Sequence, residues 1–387
     1  MSKTSPSIVL LFLSAALGCG DGAEPEASPW EWDLPEHVPE PRVPEDNPMS
    51  EAKVELGRFL FYDKRLSGNQ TQSCSSCHKQ ELAFTDGAPV SEGSTGELTP
   101  RSSMSIANSA YAATLTWANN NLVRLEDQAR VPLFGEVPVE LGLADMEDEL
   151  LRRMREDERY PRMFAEAFPE EGDPISVGSI VKALAAFQRS VTSFDSKVDR
   201  WSLGDETALN ASEQNGMRLF FGGETEAGVP DALECFHCHG GFLYSQSVDE
   251  AQNVFDQSLF VNNGLYNLDA QGSYPPGNEG LFDITGERVD KGAFKPPSLR
   301  NIALTAPYMH DGSIETLEEV VRHYERGGRL IEDGPYAGDG FDNPNKNGFL
   351  QGFVLSEQER QDLLAFLRAL TDESLLSNPA YSDPFAE

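Results

Sequence analysis

The residues of this chain that could do covalent chemistry are concentrated in two short runs, Cys74-Ser75-Ser76-Cys77-His78 and Cys235-Phe236-His237-Cys238-His239. Two thiols three positions apart, followed at once by an imidazole, suit one reaction. The thiols add to the two vinyl groups of a porphyrin as thioethers, and the adjacent histidine sets a nitrogen on the iron. His78 and His239 are therefore the expected proximal ligands of two haem c groups. Tetrahedral zinc would need four ligands, and neither run has a second cysteine pair beside it. A disulfide inside each run is open to an exported protein, but it leaves the histidine that closes both runs without a purpose.

What such irons do depends on the sixth ligand. An electron carrier fills both axial sites, and an enzyme keeps one open. The remaining histidines are His37, His237, His310 and His323. His37 lies in an acidic N-terminal stretch, and His237 sits inside the second run, where it points elsewhere. None lies between His78 and Cys235. Met104 is within reach of the first haem, although a lone methionine is more often packing. The first iron therefore reads as the open, reactive one. For the second, Met309, His310, His323 and Tyr324 compete. Leu317, Val320, Val321 and Tyr324 follow i, i+3, i+4, i+7 spacing, which turns Tyr324 inward and His323 one position round. Composition favours Met309, a common ligand in cytochromes.

The elements that must hold these groups can be read around them. The chain has 387 residues, 39% of them apolar, which suits two domains with real cores. Its formal charge of −34 excludes phosphate-backbone binding as a main function, so no nucleic-acid partner is expected. It suits a basic or neutral redox partner, or is simply a solvated acidic surface. An apolar run from Ile8 to Leu17 follows Lys3, and Ala15-Ala16-Leu17-Gly18-Cys19 resembles a lipoprotein signal-peptidase site. Residues 1–19 are thus expected to be a lipoprotein signal peptide, a plain secretory signal being the alternative. Either way the chain is expected to be exported to the periplasm, touching the membrane only through a lipid on Cys19. Residues 20–48, rich in Pro, Glu and Asp, read as a disordered tether.

Helical patterning begins near Ser50, with Leu56, Phe59 and Leu60 on one face. Gly57-Arg58-Phe59-Leu60-Phe61 precedes the first cysteine run, and Gly216-Met217-Arg218-Leu219-Phe220 precedes the second. The offsets, 159 and 161 residues, suggest two related haem domains. Further helices are expected near 145–156, 158–168 and 176–190, and the acidic turn Gly204-Asp205-Glu206 marks a boundary. That divides the chain into domains at 49–204 and 205–375, with a tail at 376–387. Residues 253–295 read as a long loop or short hairpin region. Thr316 with Glu319, and Ser356 with Glu359, make capping boxes for two late helices. The second of these carries a core face of Leu363, Leu364, Phe366, Leu367 and Leu370. The expected fold is mainly α: two cytochrome c-like domains packed with their haems near the interface.

These residues resemble the bacterial dihaem cytochrome c peroxidase and MauG family over roughly residues 50–372. The resemblance is carried by Leu56-Gly57-Arg58, by the first cysteine run with Phe84-Thr85-Asp86-Gly87, and by Pro138-Val139-Glu140-Leu141-Gly142. It continues through Pro297-Ser298-Leu299-Arg300-Asn301 and Leu304-Thr305-Ala306-Pro307-Tyr308-Met309-His310-Asp311-Gly312. The resemblance implies an exported peroxidase that reduces hydrogen peroxide at the His78 haem. Electrons would come through the His239 haem from a small redox protein, a cytochrome c or cupredoxin, or from an oxidisable protein partner. It assigns the second distal ligand to the residue seventeen past Pro307, Tyr324, as in the MauG branch, where the family's peroxidases carry Met. It sets Gln128, Pro132 and Glu140 over the open iron, with Glu136 as a fallback acid, and gives Trp117 the place of a tryptophan between the haems. It also implies a calcium ion held by the carbonyls of Thr305 and Pro307, with Ser102 where the family has Asn, and a haem propionate beside Arg101. The peroxidases' capping histidine would fall near Ser94, and MauG's surface tryptophan falls at Leu233. Neither feature is expected here.

Overall fold

A computed structural model describes residues 30–222, 233–249 and 259–386. Cys19 and the expected signal segment lie outside them. The chain is mainly helical. In order the helices are α1 (Glu51–Tyr62), α2 (Cys74–Cys77), α3 (Leu125–Gln128), α4 (Arg130–Phe134), α5 (Glu147–Glu156), α6 (Tyr160–Ala167) and α7 (Val177–Ser190). They continue with α8 (Lys197–Ser202), α9 (Ala211–Phe221), α10 (Phe236–His239), α11 (Phe282–Thr285), α12 (Leu317–Arg326) and α13 (Glu357–Ala369). Strand among the described residues is confined to two antiparallel pairs of two-residue pieces. β1 (Val261–Asn262) pairs with β2 (Ala293–Phe294), and β3 (Leu330–Ile331) pairs with β4 (Gly338–Asp339). The β1–β2 pairing closes the described part of the Gly-, Asn- and Pro-rich stretch; residues 250–258 lie outside the described set.

The late helices start where their caps put them. Thr316 Oγ1 accepts the Glu319 N–H and Glu319 returns a carboxylate to the Thr316 N–H, and Ser356 and Glu359 do the same for α13. The internal repeat has a packing cause. α1 crosses α7 at Gly57, where a Cβ would lie 2.0 Å from the Ala183 carbonyl oxygen. α9 crosses α13 at Gly216, where it would lie 1.9 Å from the Asp362 carbonyl oxygen. The next ring in each partner is also matched, since the same Cβ would meet Phe187 and Phe366 at 2.7 Å. Both crossings need a bare backbone, so the same Gly recurs one domain later.

Two cores follow. Leu56, Leu60, Phe61, Phe84, Leu184 and Phe187 centre the first; Phe220, Leu364, Phe366 and Leu370 centre the second. One expectation needs correction. Residues 30–48 are not a free tether. Val38 is 6% exposed against Tyr111, Phe194 and Leu243, Tyr111 donates to the Pro39 carbonyl at 2.8 Å, and Asn47 donates to Glu126 and to the Lys182 carbonyl. An extended segment docks through a few anchors and its own carbonyls, so it has no period to read. The tail after 375 is also packed. Leu375 and Tyr381 belong to the first core, Tyr381 donates to the Ser190 carbonyl, and Gln80 donates to the carbonyls of Leu375 and Asn378. The C-terminus thereby straps the second unit to the first.

Candidate active site

α2 is one turn long, and it sets Cys74, Cys77 and His78 on the wall of a cavity of about 70 Å³. A larger cavity of about 550 Å³ shares Cys77, His78, Gln128 and Glu140 with it. His78 Nδ1 lies 3.0 Å from the Phe84 carbonyl. A carbonyl only accepts, so Nδ1 holds the proton and Nε2 is left with its lone pair. α10 repeats this arrangement: His239 Nδ1 lies 3.2 Å from the Tyr244 carbonyl. Phe84 and Tyr244 both have φ values in the left-handed region, 62° and 53°, which turns their carbonyls back onto the preceding imidazole. Burial lowers the pKa of both histidines, that of His239 to about 4, and raises the thiols of Cys74 and Cys235 to about 12. The four cysteines of the two runs form no disulfide. Neutral imidazoles with a fixed tautomer, beside paired free thiols, fit two covalently held haems.

Three residues that the resemblance sets over the first iron share a cavity with His78. Gln128 ends α3, Pro132 lies in α4, and both line the smaller cavity together with Glu140. Glu140 is drawn there by its neighbours. The Leu141 N–H donates to the Pro132 carbonyl at 2.9 Å, and the Ser94 N–H donates to the Glu140 carbonyl at 2.6 Å. Gly93 lies so close that a Cβ would meet the Val139 carbonyl oxygen at 2.0 Å. Burial raises the Glu140 carboxyl above the ordinary range. Glu136 is exposed and lines neither cavity. Residues around Ser94 form a tight turn, with the Gly93 N–H on the Glu97 carbonyl at 2.7 Å.

Around the second run, the four competing residues separate. Tyr324 lies within electrostatic reach of the thiols of Cys235 and Cys238, and burial raises its phenol to about 12 against a hydrogen bond from Asn263. His323 is more buried than the helical pattern implies. Its Nε2 is 3.1 Å from the Asn263 carbonyl. His310 stacks on Phe294 at 3.6 Å, and Met309 Sδ accepts from Asn263 at 3.4 Å. His237 stacks on Phe349 at 4.3 Å. The loop bearing the Tyr244 carbonyl is clamped from outside. Ser298 donates to the Leu243 carbonyl, Arg300 Nε donates to the Phe242 carbonyl, and the Arg300 guanidinium makes two 2.8 Å bonds to Asp199.

Trp117, Ser102, Thr305 and Pro307 all line the larger cavity. The Trp117 indole donates to the Ser102 carbonyl at 2.9 Å, and Ser102 Oγ donates to the Met309 carbonyl at 3.2 Å. The Thr305 and Pro307 carbonyls accept no hydrogen bond among the described residues, as a cation site of backbone oxygens would require. Among those residues no group of three or more His, Cys, Asp or Glu side chains could hold a metal. Arg101 is engaged by Asp283 and Asn278, at 2.9 and 2.8 Å. Sequence reasoning missed Lys295. It is buried on the same cavity wall, donates to the Thr114 carbonyl at 2.6 Å, and has no acidic partner among the described residues. Burial lowers it to about 8. Two cations on this wall suit the carboxylates of a haem. The signal for Lys295 was its place just before the Pro297–Asn301 run.

A helical chain with two such histidine–thiol anchors, one of them under a carboxylate-lined cavity, belongs to the dihaem cytochrome c peroxidase and MauG family. The family described as "Di-haem cytochrome c peroxidase" matches residues 51–207. The chain is 35% identical to the cytochrome-c peroxidase IdrP1 of Pseudomonas sp. (strain SCT), over 89% of this chain and 86% of that one. It is 33% identical to the methylamine utilization protein MauG of Methylorubrum extorquens, over 88% and 83%. The crystal structure of a MauG-like protein associated with microbial copper homeostasis superposes with a TM-score of 0.88 and 54% identity, covering 92% of this chain and all of that one. The chain is an oxidoreductase of the peroxidase type, and its family implies two c-type haems.

Proposed function

We propose that this chain is an exported dihaem peroxidase of the MauG-like branch. It reduces hydrogen peroxide on the Glu140 side of the His78 haem, with electrons relayed through the haem held by His239 and Tyr324. One observation carries this reading. Gln128, Pro132 and Glu140 meet His78 on the smaller cavity, whose lining among the described residues includes no second histidine and no methionine; Met104 and Met309 line the larger one. A bound haem supplies an iron for the peroxide to bind and a store for its oxidising equivalents. His78 and His239 hold their Nδ1 protons on backbone carbonyls and keep Nε2 free to ligate. Glu140 takes the proton from the near oxygen of peroxide and returns it to the far one, so that water can leave, and Gln128 orients the substrate by hydrogen bonding. Trp117, which lines the larger cavity with His78, carries electrons from the second haem to the first. Tyr324 would hold the second haem iron through a hard, anionic phenolate oxygen. The carbonyls of Thr305 and Pro307, with Ser102, would hold a calcium ion.

The electron donor is a small redox protein of neutral or basic surface, since the chain's charge of −34 favours such a partner. No helix among the described residues is long and apolar enough to cross a membrane, and Cys19 is the proposed lipid anchor. A second reading, oxidation of a protein partner's side chains, is favoured by the likeness to MauG and to the MauG-like structure. Leu233, which packs against the second core, stands where MauG has its surface tryptophan and offers no such route.

The absorption and EPR spectra of the diferric protein test the main reading. One high-spin and one low-spin haem are expected, with the low-spin signal altered in Tyr324→Met and the high-spin signal intact. Two fully low-spin haems overturn the open site.

A further inference from the structure

The peroxide chemistry leaves unused a file of aromatic rings on the far side of Arg101. It starts at Tyr336, which is 45% exposed. Tyr336 meets Tyr266 with ring centroids 5.9 Å apart, and Tyr266 meets Tyr274 at 5.5 Å. Tyr274 then meets Phe294 at 6.1 Å and His310 at 6.4 Å, and these two are stacked on each other. The Arg101 guanidinium lies over Phe294 at 5.5 Å. The His310 carbonyl accepts the Ser102 N–H at 2.8 Å, and the Ser102 carbonyl accepts the Trp117 indole. The file therefore runs without a break in contact from the surface to the wall of the cavity that holds His78.

Its outer end opens on a separate cavity. This one has a volume of about 540 Å³ and is lined by Tyr266, Tyr336, Pro275, Pro276, Asp311 and Arg329. That volume lies within the roughly 300–1,000 Å³ of small-molecule pockets, and flat rings with prolines suit an aromatic guest. The tyrosines differ in how they could release a proton. A phenol that loses an electron must also lose its proton. Tyr266 Oη donates to Asp311 Oδ2 at 2.7 Å, so a carboxylate stands ready to take it. Tyr274 Oη donates to the Asn262 amide oxygen at 3.0 Å, which is a far weaker base. Tyr266 is therefore the oxidisable member of the file, and Tyr274 serves as a contact between it and the interior.

We propose that this file is a second electron-entry route, by which a small phenolic reductant held in this cavity against Tyr266 and Tyr336 supplies electrons for the reduction of peroxide. The proposal rests on the peroxidase reading above. Hydrogen peroxide takes two electrons and two protons and becomes two waters. Two phenols each lose one electron and one proton and leave as phenoxyl radicals. In each transfer Tyr266 passes an electron inward and its proton to Asp311. An electron from the phenol, delivered through Tyr336, refills Tyr266 as the proton returns, and the proton of the phenol goes to solvent.

The test uses the haem-loaded protein, hydrogen peroxide and p-cresol as the probe, with reduced basic cytochrome c as a separate donor. Tyr266→Phe and Tyr336→Phe keep the rings and the packing but remove the phenol proton. Both should lower p-cresol oxidation by about tenfold or more, a loss of about 1.4 kcal/mol in the transfer step, and leave cytochrome c oxidation unchanged. A readout independent of turnover is the radical formed when peroxide is added without reductant. Wild type should give a tyrosyl EPR signal and oxidised Tyr266 or Tyr336 peptides by mass spectrometry, and Tyr266→Phe should lose the signal. If p-cresol oxidation and the radical are the same in wild type and both variants, the route is overturned. If cytochrome c drives peroxide reduction in wild type and p-cresol does not, the route falls and the peroxidase reading stands. If neither donor supports peroxide reduction, both fall.

Discussion

Glu136 and Glu140 are the same residue type four positions apart, and they should behave oppositely. Glu140 lines the cavity beside His78, and no protein group among the described residues hydrogen-bonds its carboxylate. Glu140→Gln therefore removes a proton carrier without stranding a partner. Loss of a general acid–base group costs about 10²- to 10⁴-fold in rate. That corresponds to roughly 2.7–5.5 kcal/mol in the barrier for peroxide reduction. Stability should not fall, because burial disfavours the charged carboxylate and the amide is neutral. The pH dependence has a definite sign. With its pKa raised by burial, folded Glu140 binds more proton than the unfolded chain between the ordinary carboxylate pKa and its own raised value. Stability then declines as pH rises through that window, and Glu140→Gln removes the decline. The acid limb of kcat/KM should lie above the ordinary carboxylate range and vanish in the variant. Glu136→Gln, at an exposed position, should change neither rate nor limb. Stopped-flow peroxide reaction and steady-state turnover across pH measure both. Wild-type rates in Glu140→Gln, or a loss confined to Glu136→Gln, would refute the assignment.

The two matched glycines make a sharper test of packing than of chemistry. Gly216→Ala puts a Cβ 1.9 Å from the Asp362 carbonyl oxygen, so α9 and α13 must separate. Overpacking costs about 1–3 kcal/mol or more and outweighs the roughly 1 kcal/mol that alanine gains in a helix. Thermal unfolding should show a lower Tm, and Gly57→Ala should lower it similarly through the Ala183 contact. Asp199→Asn leaves the Arg300 guanidinium buried, with both side chains 4% exposed, and without its counter-charge. Breaking such a pair costs about 3–5 kcal/mol. Because Arg300 also clamps the loop that fixes His239, the low-spin haem spectrum should broaden along with the fall in Tm.

What the amino-acid order settled alone is what depends on neighbours a few residues away. Cys-x-x-Cys-His places two thiols and an imidazole on one turn whatever surrounds them. The capping boxes at Thr316 and Ser356 close within four residues, and the repeated Gly before each run announces the same helix crossing twice. Everything that needed partners from distant elements waited for the tertiary structure. Pro132, Gly93 and Ser94 draw Glu140, and not Glu136, onto the cavity wall. Helical periodicity put Tyr324 inward but left His323 half a guess. Only the fold brings Tyr324 within electrostatic reach of Cys235 and Cys238 and ties His323 to the Asn263 carbonyl. Residues 30–48 looked free because docked extended chain has no period. The anchor Val38, like Tyr381 in the C-terminal tail, is a single side chain that packs on or bonds to residues more than seventy positions away. The tyrosine file is the extreme case. Tyr266, Tyr274, His310 and Tyr336 carry no shared motif, and ring contact, which is a property of three dimensions, is what makes them a path.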